Sequence, residues 1–225
     1  MSLRGKGMLV VFTDVRSRHE RDFNEWYNRE HIDERINMPG FHRARRYVTT
    51  KGTPKYLATY ECNRVGDLAT PEYLAVLANP TPWSKAVLAR LAYFNRMTLR
   101  MQVDQTHGIG GALAAVKFVP GSGHRRNLID WLRDTAFPRI IKQPGMLGAA
   151  AGENDLEVAN APVKTTSMDR PRADEAEWLV LLEGSDAATV GAAARQSFKL
   201  ATLRPFGVRE APTIGTYRLL FSNQR

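Results

Sequence analysis

One cysteine, Cys62, in 225 residues excludes an intrachain disulfide framework and a cysteine-rich zinc site. No apolar run approaches the length that crosses a bilayer. The segment MLVVF behind Arg4 and Lys6 is too short for a secretory h-region and has no small-residue cleavage site after it, so it reads as a first strand. The chain is therefore expected to be soluble and cytoplasmic, with no membrane partner. A nucleophile elbow, a phosphate loop, a dinucleotide fingerprint and a dense metal motif are all missing. Acidic residues are outnumbered, 23 against 32 Lys and Arg, for a formal charge of +9. These charges are scattered, and the densest cluster is only Arg43, Arg45 and Arg46. The RNA-recognition signature is absent from the third strand, KYLATYEC. No nucleic acid is expected as a partner.

What is present is a repeat. Phe23 to Phe41 reads FNEWYNREHIDERINMPGF, and Leu128 to Met146 reads LIDWLRDTAFPRIIKQPGM. Trp26 aligns with Trp131 and Pro39-Gly40 with Pro144-Gly145, without a gap. The apolar framework is kept, while Tyr27, Glu30, His31 and Glu34 are replaced by Leu132, Thr135, Ala136 and Arg139. A duplicated domain is the reading, and any chemistry belongs to the first copy.

The order of elements agrees. Met8 to Val15 is an apolar, β-branched run of strand length, and Ser17 to Met38 has helical spacing ended by Pro39-Gly40. Two segments, Phe41 to Thr50 and Lys55 to Cys62, flank a Gly-Thr-Pro turn. A helical region broken by Pro80 and Pro82 runs from Asp67 to Asn95, and Met97 to Gln105 alternates as a half-buried strand. On that strand Met97, Leu99, Met101 and Val103 share one face. The order β-α-β-β-α-β is the ferredoxin-like unit, and it recurs after Ala112. The fold class is α+β, with one unit over residues 1–106 and a degenerate second over 107–225. The polar, proline-bearing stretch 156–177 reads as a long loop inserted in the second unit. Two such sheets can pack face to face within one chain.

With Trp26, Tyr27, Glu30 and His31 followed by Pro39, Gly40 and Phe41 and a strand bearing Arg46 and Tyr47, the first half resembles the dimeric α+β barrel superfamily, nearest its EthD-like branch. The resemblance implies two ferredoxin-like units paired through their sheets, here as an intramolecular pseudo-dimer with a further homodimer left open. It also implies a small organic ligand held between sheet and helices. The implied chemistry is cofactor-independent proton transfer, leading to oxygenation, isomerisation or decarboxylation of an aromatic or lactone-like organic acid or ketone. A non-catalytic carrier is the alternative, and the superfamily also contains haem enzymes.

On a wheel of about 100° per residue from Phe23, Glu30 falls near −20°, Glu34 near +20°, Tyr27 near +40°, Trp26 near −60° and His31 near +80°. Two carboxylates on an aromatic face need partners or a function. One reading pairs Glu30 with Arg46 or Arg100 and leaves Glu34 exposed on the last turn. The other makes Glu30 and His31 the proton-transfer groups, with Trp26, Tyr27, His42, Arg46 and Arg100 as substrate-binding residues. His31, His42 and Glu30 could also converge on a metal or haem, but their spacing is no compact ligand motif. Cys62, without a neighbouring histidine, is expected to be structural.

Overall fold

Alternating apolar residues close the chain on itself. The computed structural model describes residues 3–49, 51–161 and 176–225. Its first half runs β1 (Gly7–Val15), α1 (Glu20–Trp26), a π-helical turn (Tyr27–His31), α2 (Ile32–Ile36), β2 (Phe41–Val48), β3 (Tyr56–Cys62), α3 (Pro71–Ala78), α4 (Pro82–Leu88) and β4 (Leu91–Asp104). The second half runs β5 (Ala112–Phe118), α5 (Arg125–Trp131), a second π turn (Leu132–Ala136), α6 (Phe137–Ile141), β6 (Met146–Asn154), α7 (Leu156–Ala159), β7 (Trp178–Gly184), α8 (Ala187–Ser197), α9 (Leu200–Leu203) and β8 (Thr213–Gln224). Each ferredoxin-like strand set leaves two edges, and all four are used. β2 pairs with β8 and β4 with β6, giving a closed antiparallel barrel in the order β1-β3-β2-β8-β5-β7-β6-β4. The two sheets thus face each other across a barrel interior and are also joined at their edges, a closure that leaves no unpaired edge.

Period-two alternation divides the apolar residues into three cores. Met8, Val10, Leu57, Leu99, Leu179 and Leu181 fill the barrel. Leu9, Val11, Phe23, Trp26, Tyr60 and Tyr73 join the first sheet to α1–α4. Ala114, Val116, Leu128, Leu132, Phe137, Val180 and Phe198 do the same for the second. The α2–β2 and α6–β6 corners are alike, with Gly40 at φ +87° and Gly145 at φ +80°. This left-handed geometry suits glycine, and a Cβ on Gly40 would also collide with the Asp67 carboxylate at 2.7 Å.

Four elements depart from expectation. β4 begins at Leu91, where a helix was expected to continue to Asn95, because Leu91 to Arg96 extend the ladder along β1. Val103 leaves the face of Met97, Leu99 and Met101 because the register shifts between Met101 and Val103, which turns it into the second helical core. The helix of each half contains a π turn. Part of the expected loop forms α7, and residues 162–175 of it lie outside the described residues.

The barrel interior also holds charge. Arg43 binds Glu61 through two hydrogen bonds, 2.8 Å from Nε to Oε1 and 2.7 Å from Nη2 to Oε2. Arg45 donates to Glu61 at 3.1 Å and, from Nη1, to Glu183 of β7. The two glutamates also accept from backbone N–H groups, Glu61 from Arg4 at 2.7 Å and Glu183 from Gly110 at 3.2 Å. All four side chains are at most 4% exposed. Such charges are tolerated because each is paired and hydrogen-bonded. Among the described residues no helix is long and apolar enough to cross a membrane.

Candidate functional site

The π turn decides which side chains face the sheet. Its i to i+5 bonding puts one extra residue into the helix, so residues beyond it lag by about 100° on a regular wheel. His31, expected near the edge of the aromatic face, moves to its middle, and Glu30 moves off to the side. There Glu30 Oε1 accepts hydrogen bonds from Thr81 Oγ1 at 2.6 Å and Ser84 Oγ at 3.1 Å. Ser84 Oγ in turn accepts from Trp26 Nε1 at 3.0 Å. Glu30 therefore ties the π turn to the start of α4 and lies outside the cavity lining.

Beneath this face is a cavity of about 90 Å³ between β1, β4, α1–α2 and α3–α4. Trp26, Tyr27 and His31 line it together with Glu34, Arg35, Tyr73 and Arg96, and the remaining wall is apolar, including Leu9, Val11, Leu77 and Phe94. His31 stacks on Trp26 with ring centroids 4.3 Å apart. It meets the edges of Tyr27 and Tyr60 at 5.1 and 6.2 Å. Among the described residues its Nδ1 is buried without a hydrogen-bond partner, and the nearest carboxylate is Glu34 at 3.9 Å. Burial foremost, then Arg35 and Arg46, holds the imidazole well below its ordinary pKa. It is neutral at pH 7 and able to accept a proton. Glu34 is pushed the other way, its carboxyl raised by burial and by Glu30 against the pull of Arg35.

The other expected residues are dispersed. Arg46 lies behind Tyr27, 4.2 Å from its ring centroid, and donates to Asn28 and Asn24 at 2.7 Å each. Burial lowers its pKa. It supports the aromatic wall without lining the cavity, and it does not pair with Glu30. His42 bonds to Asn63 Oδ1 at 2.6 Å, and Arg100 pairs with Asp155 at an exposed position. Neither lines the cavity, contrary to the expectation that both face one ligand, and the reasons differ. The bulge between Phe41 and Arg43 turns His42 out of step, and Arg100 sits too far along β4, beside α7. His31 and His42 do not converge, and among the described residues no three His, Cys, Asp or Glu side chains form a metal-binding group. Cys62 is fully buried. Burial, with Asp67 and Glu61 nearby, raises its thiol pKa, which fits a structural role.

Arg35, Tyr73, Ser84 and Arg96 are polar cavity residues that sequence reasoning passed over, whereas Glu34 was already placed on the aromatic face. One signal was available for Arg35: the repeat places Ile140 opposite it, an arginine where the other copy keeps an apolar residue.

No family model and no curated protein matches the chain in sequence. Solved structures do match it in fold. An anthrone oxidase-like protein superposes with TM-score 0.66 at 12% identity, covering 100% of this chain and 95% of that one. A provisionally assigned monooxygenase from Fusobacterium nucleatum gives 0.62 at 9% identity over 99% and 96% of the two chains. Another, from Lactobacillus acidophilus NCFM, gives 0.60 at 10% over 97% and 95%. These likenesses show the fold: the closed mixed α+β barrel of this chain is that of dimeric α+β barrel neighbours.

Proposed function

We propose that the chain is an EthD-like, cofactor-independent enzyme that begins its reaction by moving a proton from a small aromatic or lactone-like substrate to His31. The observation that carries this reading is the His31 ring: neutral, stacked, with an unpartnered Nδ1 on the wall of an apolar cavity. Removing a proton beside a carbonyl leaves an enolate and an imidazolium, and Glu34 at 3.9 Å is placed to offset the new positive charge. Of the routes open to an enolate, reaction with dioxygen is favoured by the names of the structural neighbours. An activated methylene would become a carbonyl, one oxygen atom entering the product and the other leaving with the two hydrogens as water. Isomerisation and decarboxylation use the same first step.

A duplication in which the second copy lost its chemistry is supported by the gapless repeat and by π turns at matching positions, Tyr27–His31 and Leu132–Ala136. The test is a panel of anthrone-like ketones, phenols and lactones followed by oxygen consumption and product mass. Turnover by the native chain that His31→Ala reduces at least about 10²-fold, with melting temperature unchanged, supports the reading. Ligand binding without turnover across the panel would favour a carrier, and undiminished turnover in His31→Ala would remove the histidine from the mechanism.

A further inference from the structure

Arg35 is 7% exposed, yet among the described residues its one ion-pair partner, Glu34, stands 3.6 Å away, beyond hydrogen-bond length. Its other contacts are the Met38 sulfur at 4.0 Å and the face of Tyr73, 5.7 Å from the guanidinium carbon to the ring centroid. Arg96 approaches the same ring at 6.0 Å and reaches the Tyr73 hydroxyl at 3.5 Å. Arg35 and Arg96 both line the cavity, with Glu34 as the one carboxylate among the described residues of its wall. Of the other buried arginines, Arg43 and Arg45 are closely paired with Glu61 and Glu183, and Arg46 is held by the side-chain oxygens of Asn28 and Asn24.

The fold does not need these two cations. In the repeat Arg35 corresponds to Ile140, 1% exposed in the second helical core. Arg96 lies opposite Val11 on β1, and the matching partner of Val116 on β5 is Ile214, packed against the same core. Two isoleucines satisfy one copy, whereas the other carries two guanidinium groups facing a cavity. A buried guanidinium without a close anion is costly, and a ligand oxyanion would complete it.

Resting on the reading of this cavity as the substrate site, the geometry points to an aromatic ligand that carries one delocalised oxyanion, a carboxylate or a phenolate, seated at the Tyr73 end between Arg35 and Arg96. The apolar wall takes the ring system, and the arginines select charge. His31 faces the body of the same molecule, so recognition and proton transfer fall on separate residues.

Equilibrium binding of 2-naphthoate, 2-naphthol and the neutral 2-naphthamide to the native chain tests this. One charged hydrogen bond predicts that naphthoate, or naphthol bound as its anion, is favoured over the amide by about tenfold or more, and the optical spectrum of bound naphthol tells the two oxyanions apart. Arg96→Ile, half-buried and tolerated as isoleucine in the repeat, should bring the ratio within about twofold while leaving amide binding in place. Arg35→Met should act in the same direction, and His31→Ala should keep the preference. Equal binding of all three probes, or a preference that survives both arginine variants, overturns the oxyanion site and leaves the cavity reading standing. Binding of none of them overturns the cavity reading and this inference with it. Full turnover in His31→Ala with the preference intact removes only the proton-transfer role.

Discussion

The two helices that begin with Trp26 and Trp131 share a backbone, down to the extra residue of the π turn, and differ in what that backbone presents. In the first, Trp26 stacks on His31 above a cavity. In the second, Trp131 packs at 5.0 and 6.0 Å against Phe206 and Phe198, and Leu132 and Ala136 fill the space held by Tyr27 and His31 in the other copy. The following strands show the same contrast. Arg43 and Gly148 occupy matching positions beside a shared bulge, opposite Glu61 and Glu183, and Arg45 and Arg46 correspond to Ala150 and Ala151. The scaffold therefore requires the tryptophan, the bulge and the Pro-Gly corner, and it does not require the ionisable groups. Those that remain in one copy need another explanation. For Arg43 and Arg45 it is the barrel interior, where the first copy supplies the cations that neutralise a glutamate from each half.

The largest effect expected from breaking that contrast is on stability. Arg45→Ala would give the first copy the second copy's residue, but it would leave Glu183 without a cation and Glu61 with one fewer. The cost is about 3–5 kcal/mol, read as a lower urea midpoint. Arg45→Met combined with Glu183→Leu should recover most of the loss, because the second copy already fills such positions with apolar side chains. A single variant as stable as the native chain would show that the pair does not hold the two halves together.

Next in size is His31→Ala, the first copy's histidine replaced by the second copy's alanine. Turnover of whichever substrate the screen finds should fall by about 10²–10⁴-fold, and the melting temperature should hold, since Ala136 occupies the equivalent place in a folded helix. Loss of stability with activity retained would make the ring a packing element.

His31 also gives a pH signature. Its folded-state pKa is depressed, so between that value and about 6.5 the unfolded chain binds a proton that the folded chain refuses. Stability from this group is complete above about 6.5 and is lost as pH falls toward the folded value. The difference in unfolding free energy between the native chain and His31→Gln, measured from pH 7.5 to 5, should shift against the native chain on acidification. A pH-independent difference would mean that the imidazole is not held neutral by its surroundings.

The barrel was legible from order and alternation, because one apolar period of two and one β-α-β-β-α-β order admit few closed arrangements, and from the residues that carried the family resemblance. The aromatic wall of the cavity was legible as well, since Trp26, Tyr27 and His31 fall on one side of the helix both on the regular wheel and with the π turn. What failed was the phase beyond Tyr27. A π turn leaves no mark in apolar spacing, so Glu30 was placed on the sheet side, and Glu34 was weighed mainly as an exposed residue of the last turn. Arg96 was hidden for a related reason, since β4 was expected to begin only at Met97. Pairings at a distance in sequence, such as Arg45 with Glu183 and Arg100 with Asp155, follow from strand closure and from α7, which local pattern does not encode.

The smallest expected effect separates the two carboxylates of the first helix. Glu30 Oε1 accepts from Thr81 and Ser84, and a glutamine side chain offers an acceptor oxygen at the same reach. Glu30→Gln should keep the tie between the π turn and α4, with a stability change of about 1 kcal/mol or less, and turnover should stay near native because Glu30 lies outside the cavity lining. Glu34→Gln removes the carboxylate that stands 3.9 Å from His31 and should lower turnover by more than Glu30→Gln does. The second copy bears on this as well: Thr135 replaces Glu30 and Arg139 replaces Glu34 without loss of the helix, so the helix itself requires neither carboxylate. The measurement is kcat for both variants on one substrate. If Glu30→Gln is the more damaged of the two, the acid-base partner of His31 lies at the α4 latch, and the geometry of the cavity wall has been assigned to the wrong carboxylate.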